Sequence, residues 1–333
     1  MRLTKVAGAA AAVLILAAAV PAGAREITEN VDETFAVKKG WTLRLRHGDG
    51  DVTLIPWEKD SVEVNVYYHA EIKGWGDDSD RDFKVEFREK NGVLEITGKE
   101  TGEGFMGFHV FILKEYSYTI HAPSYLELDF QGDDGNVELE KWKGPVEITL
   151  DDGELSMYNC EPGRTKIRAA DGDIVIDGIS GTFDLIGDDL RLDINRGSFE
   201  DCRIQMADGD IWIRDSEGDF DIEVEDGDTE LRRIGTNLMD LKSEDGDFDI
   251  ELLKTDVLDL EIRTEDGDVD LGLQRGISAS FTIDVDDGRI RTDLPSAVKI
   301  QEGDAWLSGK LGSGSGKIRI RTYDGSVMIR EIR

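Results

Sequence analysis

The residues best suited to chemistry in this chain are aspartates on either side of a turn glycine. The pattern recurs at Asp226-Gly227-Asp228, Asp245-Gly246-Asp247 and Asp266-Gly267-Asp268. Hard cations such as Ca2+ take carboxylate and carbonyl oxygens, so these six acids form a candidate row of weak calcium sites. The competing role is a solvated acidic edge that blocks edge-to-edge association of sheets. The sequence contains neither an EF-hand Asp-x-Asp-x-Asp-Gly loop nor the Gly-Gly dipeptide of calcium-binding β-roll repeats.

Other chemical motifs fail on context. Gly102-Glu103-Gly104-Phe105-Met106-Gly107 has the letters of a dinucleotide fingerprint. That fingerprint opens a helix, whereas Phe108 to Leu113 reads as a strand. Gly312-Ser313-Gly314-Ser315-Gly316-Lys317 resembles a phosphate loop, but Leu311 and Ile318 occupy the positions of its first Gly and its Ser or Thr. The four histidines, His47, His69, His109 and His121, lack metal-ligand spacing and read as ordinary strand or turn residues. Paired carboxylates for glycoside hydrolysis could be drawn from so many acids that no pair stands out. No catalytic or cofactor-binding residue is assigned, and calcium is the one candidate ion.

The elements that would position these acids are strands. Asp-Gly turns occur at Asp49, Asp134, Asp152, Asp171, Asp208, Asp226, Asp245, Asp266, Asp287 and Asp324. From Gly135 the glycine-to-glycine steps are 18, 19, 37, 18, 19, 21, 21 and 37. Each step of 37 reads as two periods, with decayed copies at Gly187-Asp188-Asp189 and near Gly303-Asp304. A period of about 18–21 residues is the mark of stacked units that bury their apolar sides against one another. Around each turn apolar and charged residues alternate: Phe220, Ile222 and Val224 against Asp221, Glu223 and Glu225, then Leu231, Phe248, Ile250, Val269 and Leu271 in later units. Alternation puts the apolar set on one face and the acids on the other.

The expected fold is all-β: a parallel β-solenoid or β-helix of two strands and two turns per unit over residues 126–333. It is preceded by an irregular β region, residues 25–125, that begins the same domain. In that region Trp41–Arg46, Val52–Ile55, Ser61–Tyr68 and Val93–Thr97 read as strands and Gly74–Asp82 as a loop. The alternative is an antiparallel meander or sandwich, because Asp-Gly between alternating runs is also a hairpin signal.

Residues 1–24 read as an export signal: Arg2 and Lys5, an apolar run from Val6 to Val20, then Ala22-Gly23-Ala24. The run is shorter than the ~20 residues that span a bilayer, and no transmembrane segment is expected after cleavage. The protein should be periplasmic, at the cell surface or extracellular. A net charge of −33 disfavours nucleic acid and anionic membranes as partners. Residues 215–270 hold 22 Asp or Glu against five Lys or Arg. Cys160 and Cys202 fall two units apart, ~9.6 Å at a strand spacing of ~4.8 Å. An even cysteine count in an exported protein suggests a disulfide, but a bridge needs its Cα atoms within ~7 Å, so the spacing argues against it.

The stretch Pro123 to Leu155 resembles the bacterial putative-adhesin β-strand-repeat family, domain of unknown function 4097. So do Trp41–Leu45 with Gly48–Val52 and Trp57, the Gly-Asp-Ile pattern at Gly172 and Gly209, and Gly312–Gly316 followed by Lys317–Arg321. The resemblance spans about residues 30–330. It implies a secreted or surface β-solenoid without assigned catalytic residues. Many members of the family it resembles carry Ser or Thr before the turn glycine where this chain has Asp. The expected function is that of a non-enzymatic, adhesin-like envelope interaction module presenting acidic faces to an envelope or surface component. The alternatives are a carbohydrate-active β-helix enzyme and a purely structural periplasmic repeat protein.

Overall fold

Alternation governs the strands as they fold. In Phe220–Asp226 the side chains of Phe220, Ile222 and Val224 are buried while Glu223 and Glu225 face solvent. The pattern recurs in Phe248–Leu252 and Val269–Gln274. Burial of each Ile, Leu, Val or Phe contributes about 1.5–3 kcal/mol. The buried residues form one continuous cluster along the array. The computed structural model describes residues 25–76, 83–100, 107–255, 257–294, 299–302 and 306–333. The signal-like residues 1–24, the fingerprint residues Gly102 to Met106 and the Gly303-Asp304 pair lie outside them.

The chain is all-β, mostly parallel and solenoid-like. Its pairings fall into two ladders that share the extended run Glu154–Asp208. The first ladder includes Thr42–Arg46, Glu127–Gly132, Val146–Leu150, Phe220–Asp226, Leu238–Asp245 and Asp259–Asp266. The second includes Asp51–Trp57, Val137–Glu140, Ile211–Arg214, Thr229–Ile234, Phe248–Leu252 and Val269–Gln274. Within the array every one of these pairings is parallel. The Asp-Gly turns therefore join a strand of one ladder to a strand of the other, and the hairpin alternative is excluded there. Register offsets follow the glycine steps: Cys202 lies opposite Phe220, Phe220 opposite Met239, and Leu238 opposite Asp259.

A unit has more than two sides. Short parallel bridges join Ser198 to Glu217 and Glu217 to Gly235, forming a narrow third side. The corner that leads to it is left-handed: Lys141, Asn159, Gly178, Arg196, Asp215 and Arg233 all have φ between +50° and +82°. Ion pairs brace the corner from one unit to the next, Arg196 to Asp177 at 2.7 Å and Arg233 to Asp215. Both carboxylates are held below the usual aspartate range, Asp177 mainly by Arg196 and Asp215 mainly by Arg233.

At the Asp-Gly turns the backbones touch. A Cβ on Gly246 would stand 2.8 Å from the Gly227 carbonyl carbon and closer still to its oxygen. Where the glycine is missing the stack adapts. Leu190 occupies the position between Gly172 and Gly209, its carbonyl facing Gly209, and its side chain turns into the core. Leu190, rather than Gly187, is therefore the decayed copy.

The second step of 37 has a different origin. Gly325 is the direct neighbour of Gly288 and of Gly267. The strand Gly316–Asp324 pairs with Asp259–Asp266 on one side and Ala279–Asp287 on the other. Val327–Ile332 lies likewise between Val269–Gln274 and Ile290–Asp293. The last unit in sequence is thus the penultimate in space. The intervening Lys299–Glu302 and Trp306–Leu311 strands cap the outer edge in antiparallel fashion. Charge favours the insertion, because Lys317 and Arg319 lie opposite Asp259 and Glu261 in register.

The other end mirrors this order. Val93–Glu100 and Gly107–Pro123 stack outside the sequence-earlier Thr42–Arg46 and Asp51–Trp57. Antiparallel strands Phe83–Lys90, Ser61–Gly76 and Arg25–Ala36 cover that end. Covering the ends suppresses edge-to-edge pairing. Gly74–Gly76, expected in a loop, instead continues the strand and pairs with Gly107–His109. Cys160 and Cys202 are free and buried, and burial pushes both thiols up.

Candidate binding surface

The six candidate aspartates fall into two rows. Asp226, Asp245 and Asp266 stand in register with one another and with Asp324, exposed, just before the turn glycine. Their backbone carbonyls accept the N–H of Gly209, Gly227 and Gly246 in the neighbouring units.

Asp228, Asp247 and Asp268 form the second row, with a structural task. The Asp228 carboxylate accepts the backbone N–H of Asp247 at 2.9 Å, Asp247 that of Asp268 at 2.7 Å, and Asp268 that of Ser326 at 2.6 Å. A hydrogen bond to a charged acceptor contributes about 1.5–3 kcal/mol. Like charges ~4 Å apart in water repel by only ~1 kcal/mol. Even discounted for exposure, the hydrogen bonds outweigh the repulsion, and the row is a device for joining units. Among the described residues no group of three or more His, Cys, Asp or Glu side chains is placed to hold a metal ion.

Repulsion shows elsewhere along the stack. Asp134 and Asp171 are raised above the ordinary aspartate range, first by partial desolvation and then by neighbouring carboxylates, Asp152 among them in both cases. A raised carboxylate binds its proton more tightly folded than unfolded. Its stabilising contribution is complete below the unfolded value, about 3.9, and is lost as pH rises through the folded value. Asp152→Asn should therefore raise the melting temperature slightly at pH 7. The gain should vanish at pH 3 and shrink in 1 M salt, where the Debye length is about 3 Å. A gain unchanged at pH 3 would remove charge as its cause.

Three of the histidines pack or make polar contacts within the fold. His47 is buried against Tyr118 and Phe130, and burial pushes its pKa down. His69 contacts the Thr28 hydroxyl at 3.1 Å, and His121 lies 3.9 Å from Glu63. The Gly312–Gly316 loop leads into a strand. Its Gly314 N–H donates to the Ser278 hydroxyl at 3.0 Å.

The outer face of the first ladder carries a feature that composition concealed. Because Gly316–Asp324 is inserted out of order, a row of facing side chains runs Glu223, Lys242, Arg263, Arg321, Asp284, Trp306 across six strands. Arg263 pairs with Glu261 and lies 3.6 Å from Asp240. Arg321 lies over the ring of Tyr323, 5.6 Å from its centre. Lys242, Arg263, Arg321 and Tyr323 line a shallow cleft of about 400 Å³, with Glu223, Glu225, Glu244 and Glu265 among its walls. Tyr323 is 55% exposed and Trp306 40%.

The Toastrack DUF4097 family model matches residues 41–330. The chain belongs to this family. The match runs from the Trp41 region through the inserted last unit and leaves out the Arg25–Ala36 strand. Solved structures similar to this chain include a putative adhesin from Parabacteroides distasonis, at 11% identity and a TM-score of 0.35 over 91% of this chain and 97% of that one. Another is a putative adhesin from Bacteroides fragilis, at 11% identity and a TM-score of 0.32 over 90% and 97%. A third is a putative lipid binding protein from Parabacteroides distasonis, at 15% identity and a TM-score of 0.34 over 91% and 97%. No curated protein matches the chain. Among the described residues no helix is long and apolar enough to cross a membrane.

Proposed function

We propose that this protein is an exported, non-enzymatic interaction module that presents rigid acidic faces to a component of the cell envelope or surface. One observation carries the reading: outward carboxylates recur in register from unit to unit, as at Asp226, Asp245, Asp266 and Asp324. A stacked scaffold holds such a row at a fixed spacing of about 4.8 Å without ordering cost at the moment of binding. The export signal read in residues 1–24 supplies the route, and the repeat of about 18–21 residues supplies the rigidity.

The experiment uses the triple variant Asp226→Asn, Asp245→Asn, Asp266→Asn. Asn keeps the turn-forming chemistry, and the native side chains make no described hydrogen bonds. Binding of the purified protein to envelope material from its host should fall at least about fivefold, with an unchanged melting curve. Undiminished binding would sink the acidic-face reading. Release of reducing ends from envelope polysaccharide would replace it with the enzyme alternative.

A further inference from the structure

We propose that the cleft around Arg321 and Tyr323 binds an acidic sugar, a uronic-acid unit of a polysaccharide. This goes beyond the acidic-face reading, because it places a second, cationic contact on the same exported module.

In a chain of net charge −33, Lys242, Arg263 and Arg321 stand side by side on one face. Arg263 is neutralised by its own acids. Glu223 and Asp284 face Lys242 and Arg321 in register, but among the described residues no ion pair engages either cation, so both can turn to a ligand. A guanidinium presents parallel N–H donors that match a carboxylate, and an ammonium adds a compact charge beside it.

Next to these cations stands an aromatic surface. Tyr323 projects two residues along the strand from Arg321, and Trp306 stands in the same row two strands beyond, about 9.6 Å away. Exposed aromatic rings with a polar tip suit ligands that have one apolar face and polar edges, as a pyranose ring has. In a sheet packed this regularly two such rings would be buried if they served the core. Both face water instead.

The rim selects among anions. Glu223, Glu225, Glu244 and Glu265 repel a phosphate dianion but accept hydrogen bonds from hydroxyl groups. Among the described residues no ion pair joins these glutamates to Lys242 or Arg321, so a ligand carboxylate can meet the two cations directly, which a neutral sugar cannot do. A sugar carrying a single carboxylate satisfies the cations, the Tyr323 ring and the rim together, and a further unit of the polysaccharide extends toward Trp306.

The test is calorimetric titration of the full chain at low salt. The probes are tetramers of galacturonate, glucuronate and mannuronate, with a galactose tetramer and polyglutamate as controls. At least one uronate tetramer should bind, while the galactose tetramer and polyglutamate should not. Arg321→Ala and Tyr323→Ala should each weaken binding about tenfold or more, Tyr323→Phe should retain it, and all three should melt like the parent. The absence of binding to all three uronates overturns the proposal, as does equal binding of the galactose tetramer. Equal binding of polyglutamate overturns the sugar in favour of an acidic peptide. If Arg321→Ala and Tyr323→Ala leave uronate binding intact, the cleft is not the site. Envelope binding that survives in Arg321→Ala but fails in the Asp→Asn triple variant would sink this inference and leave the acidic-face reading standing.

Discussion

Replacing Gly246 by alanine is expected to lower the melting temperature by about 8 °C or more, out of proportion to one methyl group. The residue has φ +152°, a region that side chains disfavour, at a cost of about 1–3 kcal/mol. The added Cβ also collides with the Gly227 carbonyl of the preceding unit, and the obstacle is backbone that cannot turn aside. Overpacking adds about 1–3 kcal/mol. At about 2–4 °C per kcal/mol the sum reaches the predicted drop. Gly163→Ala is the control: its φ is +70°, yet nothing lies within 4 Å of the added Cβ. That change should cost about 1–2 kcal/mol, the left-handed penalty alone. Scanning calorimetry on the two variants decides the matter. Equal drops would mean that close approach between units contributes nothing.

These glycines also show what could be read from sequence. Gly227 and Gly246 announce their turns because only glycine tolerates that backbone beside a neighbouring carbonyl, so the period and the parallel stacking were legible. The opposite corner was not, although it repeats as regularly. Lys141, Arg196 and Arg233 hold left-handed φ there without any residue type that signals it. The one Gly, Gly178, sits in an Asp-Gly pair that looks like the other turns. Interunit ion pairs such as Arg196 to Asp177 offset the strain, and they depend on partners 19 residues apart that no local pattern marks. The acidic rows were visible, but not the task of Asp228, Asp247 and Asp268 in accepting backbone N–H groups. Read alone, six acids at turns suggest a cation; in place, three of them also accept the next unit's backbone N–H. The Arg321 cleft was hidden for a topological reason. Its cations come from strands that begin at Leu238, Asp259 and Gly316, and the last is brought beside the others only by insertion.

That insertion makes a second large effect predictable. A chain ending at Leu311 should lose structure well before its new terminus, rather than being trimmed neatly as an ordinary end unit would be. Gly316–Asp324 supplies partners to both Asp259–Asp266 and Ala279–Asp287, so its removal leaves two edges facing a gap. Leu260, Ile262, Phe281 and Ile283, all buried, would line that gap. Exposure of each forfeits about 1.5–3 kcal/mol. The Ala279–Asp293 segment also loses its parallel attachment to the array and keeps only the cap strands. Amide hydrogen exchange should show residues 259–293 deprotected by about a hundredfold or more, since each 1.4 kcal/mol is a factor of ten. Protection across residues 126–234 should hardly change, because stacked units depend on their nearest neighbours. A synthetic peptide of residues 312–333 should restore protection when added back, with the lysine and arginines of Lys317–Arg321 guiding it between acidic strands. Protection in 259–293 that survives truncation, or a peptide that fails to restore it, would show that the last unit is a passenger in the stack and not the piece that closes it.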